Sequence, residues 1–227
     1  GTTISNELIC YDIESWTEVS RKAIPLTTIS TDMTWNPADQ KVYGAFYNTT
    51  KNGYVFGTLN LETGAVNKLS DITLQDDKGY PAGFVVIAAN SIGEVYGISQ
   101  MGDLYKFNTE DGSYSLIGAT GYTPLYQQSG CFDFTTKQLY WAACNENTSG
   151  IYQVNTDTGE ATLLGSFNDL EEFVGLYSLR PNADLEGPGS VTDIDIAFER
   201  AALSGTISFK LPTTTVSGNK LSGDINY

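Results

Sequence analysis

Histidine is absent from the 227 residues. Its absence removes Ser-His-Asp and Cys-His catalysis, and any His-ligated zinc, copper or haem. Any catalysis would fall to carboxylates, Tyr, Lys or Arg. Cysteine is sparse: Cys10, Cys131 and Cys144. Three thiols without a CxxC spacing make neither a disulfide framework nor a metal site, so small buried apolar residues are expected. Basic residues are few, 12 Lys and Arg against 27 Asp and Glu, and the net charge is −15. That field repels a phosphate backbone and an anionic bilayer, so neither nucleic acid nor membrane insertion is expected. Long hydrophobic runs are missing. The longest, FVVIAA at Phe84–Ala89, is far too short to cross a bilayer. No signal peptide or lipid motif is visible, and the opening GTTISNE reads as a chain already trimmed, so export is not read from it directly. Sustained helical periodicity is also lacking, while Tyr (14) and Gly (23) are plentiful, which favours strands and turns.

What the sequence does have is a repeat. DIESWTEVSRK begins at Asp12, NLETGAVNKLS at Asn60, NTEDGSYSLIG at Asn108 and NTDTGEATLLG at Asn155, at spacings of 48, 48 and 47 residues. A period of that size in a strand-rich chain points to propeller blades. One period resolves into four strands. GFVVIAAN is the first, SIGE a turn, VYGIS the second, QMGD a turn, LYKFN the third, TEDG a hairpin turn and YSLIG the fourth. The second strand carries Tyr43, Tyr96 and Tyr140 at matching places, expected to fill the wedge between sheets. In the hairpin turns Asn or Asp bonds its own backbone, and Gly takes the left-handed position of a type I turn with a bulge.

The fold class is therefore all-β: a propeller of about 48-residue, four-stranded repeats. The N-terminal stretch holds only the last two strands of a blade, ELICYDI and TEVSRKA. Three full blades follow, and FVGLYSL at Phe173–Leu179 reads as one more first strand. Four blades result, or five if the tail lends strands. The propeller is expected over 1–180, a linker over 181–190 (RPNADLEGPGS begins at Arg180), and a β segment over 191–227. In that segment DIDIAF turns Ile194, Ile196 and Phe198 inward, TISFKL turns Ile207, Phe209 and Leu211 inward, and DINY starts another strand. So short a segment cannot form a stable sandwich alone.

The stretches VYGI…GDLYKFNTEDGSYSLIGATG and QLYWAA…GIYQVNTDTGEATLLG resemble the propeller repeats of secreted surface proteins of Bacteroidetes. Such propellers are similar to YVTN or quinoprotein-like blades and are commonly followed by fibronectin type III-like modules. LSGTISFKLPTTTVSGNKLSGDINY is similar to the front of a module of that immunoglobulin-like kind, left incomplete. The resemblance implies export, a cell-surface setting, and adhesion or glycan contact. It offers no catalytic residues to carry over, and no cofactor is expected: a quinoprotein dehydrogenase would need cofactor and calcium ligands that the sequence does not show.

The turns joining strands one to two and three to four are short and uniform. The opposite face carries the loops that vary, and variable loops on a rigid scaffold are where function sits. The between-blade loops DITLQDDKGYPAG, ATGYTPLYQQSG and GSFNDLEEF supply the ligand-binding candidates: Tyr80, Tyr122, Tyr126, Gln127, Gln128, Asp76, Asp77, Glu171 and Glu172. The second-to-third-strand loops add Tyr47, Asn48, Tyr54, Asn145 and Asn147. Rings stack on the apolar faces of sugars while amides and carboxylates bond hydroxyls. The blander account has the tyrosines filling gaps between blades and the acids solvated. Glu171 and Glu172 are adjacent, so on a strand they point to opposite faces and make a poor glycosidase pair. The expected function is a non-catalytic extracellular binding module, monomeric, with a glycan or protein ligand. The alternatives are a carboxylate-based hydrolase or lyase and a structural spacer.

Overall fold

The hairpin turns set the repeat. Asn60 Oδ1 accepts the backbone N–H groups of Glu62 and Thr63, at 2.9 and 2.8 Å, and Asn155 Oδ1 accepts those of Asp157 and Thr158. Four residues after each Asn the chain turns left-handed at Gly64, Gly112 and Gly159, with φ of 74°, 74° and 88°. In the worn first copy Asp12 makes the same side-chain bonds, to Glu14 and Ser15, but Trp16 occupies the left-handed place at φ 55°.

The computed structural model of the protein describes residues 1–3, 5–24, 28–178, 189–199 and 204–215, and only the backbone of 28–31 and 199. Among these residues there are strands and no helix. Strands β1 (Glu7–Tyr11) and β2 (Glu18–Ala23) form a hairpin. Three four-stranded antiparallel sheets follow in chain order. The first is β3 (Thr28–Asn36), β4 (Lys41–Asn48), β5 (Gly53–Leu59) and β6 (Val66–Ile72). The second is β7 (Phe84–Ala89), β8 (Val95–Ser99), β9 (Asp103–Phe107) and β10 (Tyr114–Ala119). The third is β11 (Ser129–Asp133), β12 (Gln138–Cys144), β13 (Ser149–Val154) and β14 (Ala161–Ser166). A separate hairpin pairs β15 (Thr192–Glu199) with β16 (Ser204–Lys210). The chain divides into two compact units, Gly1–Ser178 and Leu179–Tyr227.

Within the first unit each sheet is a blade, and its first strand is innermost: β7 packs between β3 and β11. Every residue of β7 and β8 is buried, which is why FVVIAA reads as an unbroken apolar run, whereas β10 and β14 face solvent. Three apolar clusters fill the wedges. Leu8 and Ile24 of the hairpin region meet Phe46, Val55 and Leu59; Tyr43 and Phe56 meet Phe84, Ile87 and Phe107; Tyr96 and Ile98 meet Phe132, Leu139 and Trp141. Tyr43 and Tyr96 are buried as expected, but Tyr140 is only half-buried, and its neighbour Trp141 fills the wedge instead.

The innermost strands are also joined by polar bonds. Asp32 on β3 accepts the backbone N–H of Ile87 on β7 at 2.9 Å, that of Met33 at 2.9 Å, and that of Gly130 on β11. Thr34 Oγ1 accepts the N–H of Ala89 at 3.0 Å. Burial outweighs the three N–H groups and pushes the Asp32 carboxyl up to about 8.

Several expectations change. Phe173–Ser178 forms no strand; its Phe173 ring packs on Phe167, 4.5 Å between centroids, and Ser178 bonds the Cys131 thiol through its backbone. The blades in the described residues are thus three complete ones and the β1–β2 half blade. Cys10 is exposed and Cys131 half-buried, so only Cys144 is the buried residue expected of all three. On β15 and β16 the side chains of Ile194, Ile196, Phe198, Ile207 and Phe209 are exposed, not turned into a core. Most of the 181–190 linker, and DINY, lie outside the described residues.

Candidate functional site

The loop-rich face carries two cavities that share Tyr126. One, of about 310 Å³, is lined by Tyr47, Tyr54, Phe84, Val85, Gln100, Tyr126 and Gln127. The other, of about 480 Å³, is lined by Tyr126, Cys144, Asn145, Glu146, Leu170 and Glu172. Both volumes are in the range of small-molecule sites.

The first cavity is built by all three complete blades. Tyr47 is the last residue but one of β4 and Tyr54 the second of β5, where they stand opposite each other in register with ring centroids 4.9 Å apart. Tyr47 donates its hydroxyl proton to Asn52 Oδ1, which fixes that ring. Tyr54 lies flat against the backbone of Gly83, where a Cβ would come within 2.6 Å of the ring. Glycine is what lets the ring sit there. Gln100, in the β8–β9 turn, accepts the N–H of Gly83 at 3.0 Å and donates to the Tyr54 hydroxyl at 3.4 Å. Phe84, at the start of β7, is wholly buried at the cavity's base.

Tyr126 stands between the cavities in a left-handed backbone, φ 70°, while its side chain is 60% exposed. A bulky residue in that region is strained and persists only where its surroundings over-determine it. They do so here. Leu125 donates its backbone N–H to Cys144 O at 2.9 Å, and Gln127 donates its own to Glu172 Oε1 at 2.9 Å. Gln128 is 2% exposed; its amide donates to Leu125 O at 2.7 Å and to Cys144 O, and its carbonyl accepts the Trp141 indole N–H at 2.9 Å. The loop is pinned on both sides of Tyr126.

The nine expected ligand residues therefore separate. Tyr126, Gln127 and Glu172 line the cavities. Gln128 lines neither cavity, and every polar atom of its side chain is bonded within the protein. Tyr122 is a strut: its hydroxyl donates to Thr148 O at 2.7 Å, and its ring packs on Trp141 and Tyr152 at 5.3 and 5.0 Å. Burial raises the pKa of that hydroxyl. Asp76 shapes its own loop by accepting the N–H groups of Lys78 and Tyr80, at 2.9 and 2.8 Å. Asp77, Tyr80 and Glu171 are exposed and line neither cavity. Gln100, Phe84 and Val85 were not among the sequence candidates, since QMGD reads only as a turn and FVVIAA only as core. Among the described residues no three Asp, Glu or Cys side chains converge as a metal site requires, and no helix is long and apolar enough to cross a membrane.

No family model matches the sequence, and no curated protein matches it. Solved structures do. A nidogen/laminin complex shares the fold at a TM-score of 0.53 and 17% identity, over 72% of this chain and 60% of that one. The fold is a β-propeller. Virginiamycin B lyase from Staphylococcus aureus matches at 0.44 and 15% identity, over 72% of this chain and 48% of that one. The dihydro-haem d1 dehydrogenase NirN matches at 0.46 and 12%, over 74% and 34%. The propeller chain thus spans 60% or less of each of these structures. A likeness at such low identity shows the fold and does not by itself assign an activity.

Proposed function

We propose that this propeller is a non-catalytic binding module, exported to a cell surface and monomeric, that holds a glycan on its loop-rich face. The observation that carries the reading is the 310 Å³ cavity walled by Tyr47, Tyr54, Phe84 and Tyr126 with the amides of Gln100 and Gln127 at its edge. Aromatic faces take the apolar side of a pyranose, and amides bond its hydroxyls. All the lining residues are rings, amides and one aliphatic side chain, so a ligand there meets no acid–base pair. One observation favours a second reading, a carboxylate hydrolase: Glu146 and Glu172 line the same neighbouring cavity. A glycan array, with the same wells then assayed for released reducing ends, tests both. Retention without product is expected. Product release would transfer the function to the two glutamates.

A further inference from the structure

The two cavities meeting at Tyr126 differ in chemistry. The smaller is aromatic; the larger brings two carboxylates, Glu146 and Glu172, beside Asn145 and Leu170. Neither is lined by a Lys or an Arg, and the chain carries a net charge of −15. Ser149, which pairs in register with Cys144 of the larger cavity's wall, is 3% exposed and has a hydroxyl without a hydrogen-bond partner. Tyr126 is held in strained backbone on the ridge between the two halves.

Resting on the glycan reading above, we propose that Tyr126 divides two subsites for an amine-bearing glycan. One pyranose ring stacks in the aromatic half, and the ammonium group of the next unit is taken by Glu146 and Glu172 in the other. The chemistry follows from charge. A uronic acid or sulfated sugar placed beside two carboxylates is repelled, and a neutral sugar gains only ordinary hydrogen bonds. A protonated amino sugar gains charge-assisted ones. Tyr126 offers its ring to both units and so sets their spacing. Glu172 has two tasks: one oxygen accepts the Gln127 N–H and pins the loop, and its charge is directed to the ligand.

Calorimetric titration with three probes of equal length tests this: an N-acetylated chito-oligosaccharide, its de-N-acetylated counterpart, and an oligogalacturonate. At mildly acidic pH, where the sugar amine is protonated, the amine form is expected to bind about fivefold tighter than the neutral form, the pair being partly exposed. The oligogalacturonate is expected to give no heat, and raised salt to shrink the preference. In a Glu146→Gln, Glu172→Gln variant the ratio of the two affinities should fall to within about twofold. The amide at 172 still accepts the Gln127 N–H, so the loop pin survives, which a thermal melt checks. Equal affinity for neutral and amine forms overturns the amine assignment and leaves the glycan reading standing. A preference that persists in the double variant overturns the assignment to these carboxylates. An oligogalacturonate that binds tightest overturns the charge argument, and silence from all three probes removes the glycan reading together with this one.

Discussion

Both faces of the propeller use left-handed backbone, at glycines such as Gly64 and Gly112 on one and Gly79 and Gly121 on the other, but one left-handed position on the loop-rich face is supported in a way of its own. On the turn face most such positions are glycine, as at Gly64, Gly93, Gly112 and Gly159, and the turns are short copies of one another. Where glycine is missing there, as at Gln40 and Lys137, the residue is exposed and nothing leans on it. On the loop-rich face the left-handed position at 126 carries a tyrosine, flanked by bonds to Cys144, Glu172 and Trp141. Strain on the first face is incidental. On the second it is maintained by a supporting network, and that network surrounds a cavity. Identical backbone geometry can be a turn device in one place and a presentation device in another, and the surrounding bonds tell them apart.

The sharpest way to break this contrast is to remove the support. Gln128→Ala deletes three buried hydrogen bonds and leaves the Trp141 indole and the Leu125 carbonyl unmet, a loss of about 3 kcal/mol in chemical denaturation. Glycan retention should fall with it. If retention survived in the folded fraction, Tyr126 would not depend on its pins. A second change addresses the innermost strands that carry both faces. The folded pKa of Asp32, about 8, lies above its ordinary value of 3.8. The native state then keeps a proton that the unfolded chain releases, so this group's contribution is full below about pH 4 and declines as pH rises toward about 8. Asp32→Asn has no such proton and should flatten that part of the stability–pH curve, by at most about 1.4 kcal/mol per pH unit. An unchanged slope would place the carboxyl in solvent.

The smallest effects sharpen the comparison most. Lys137→Gly should raise stability by about 0.5 kcal/mol, because glycine takes the φ of 60° without a Cβ clash. Tyr126→Gly should gain a similar amount, of order 0.5 kcal/mol, for the same reason while abolishing retention. Paired melts and array measurements would read both. A Tyr126→Gly protein that is less stable than its parent would show the tyrosine to be a packing residue.

How much of this was legible in the sequence follows the range of the interactions. The Asn60, Asn108 and Asn155 turns act within five residues, so their Asn-to-Gly spacing announced them, and with them the blades. The variable face was legible for the same reason, as whatever broke the period. The fate of particular side chains was not. Gln127 and Gln128 are identical neighbours in the sequence, yet one lines the cavity and the other is consumed by Leu125 of its own loop and by Trp141 and Cys144, on a strand more than a dozen residues away. Tyr122 and Tyr126 part company likewise: the hydroxyl of the first is taken by Thr148, 26 residues on, while the second stands exposed between the cavities. Asp32 gave no signal, since its partners Ile87 and Gly130 belong to other blades. The apolar alternation of β15 and β16 was read correctly as strand, but a period of two does not say what covers the face.

The Gln128 bonds have a consequence for how such a site can change over generations. The residue that fixes the loop and the residue that faces outward are different, two positions apart. Substitutions at 126 can therefore be sampled without endangering the fold, since the anchorage is paid for by a neighbour that no ligand sees. A scaffold arranged in this way can exchange its specificity one codon at a time.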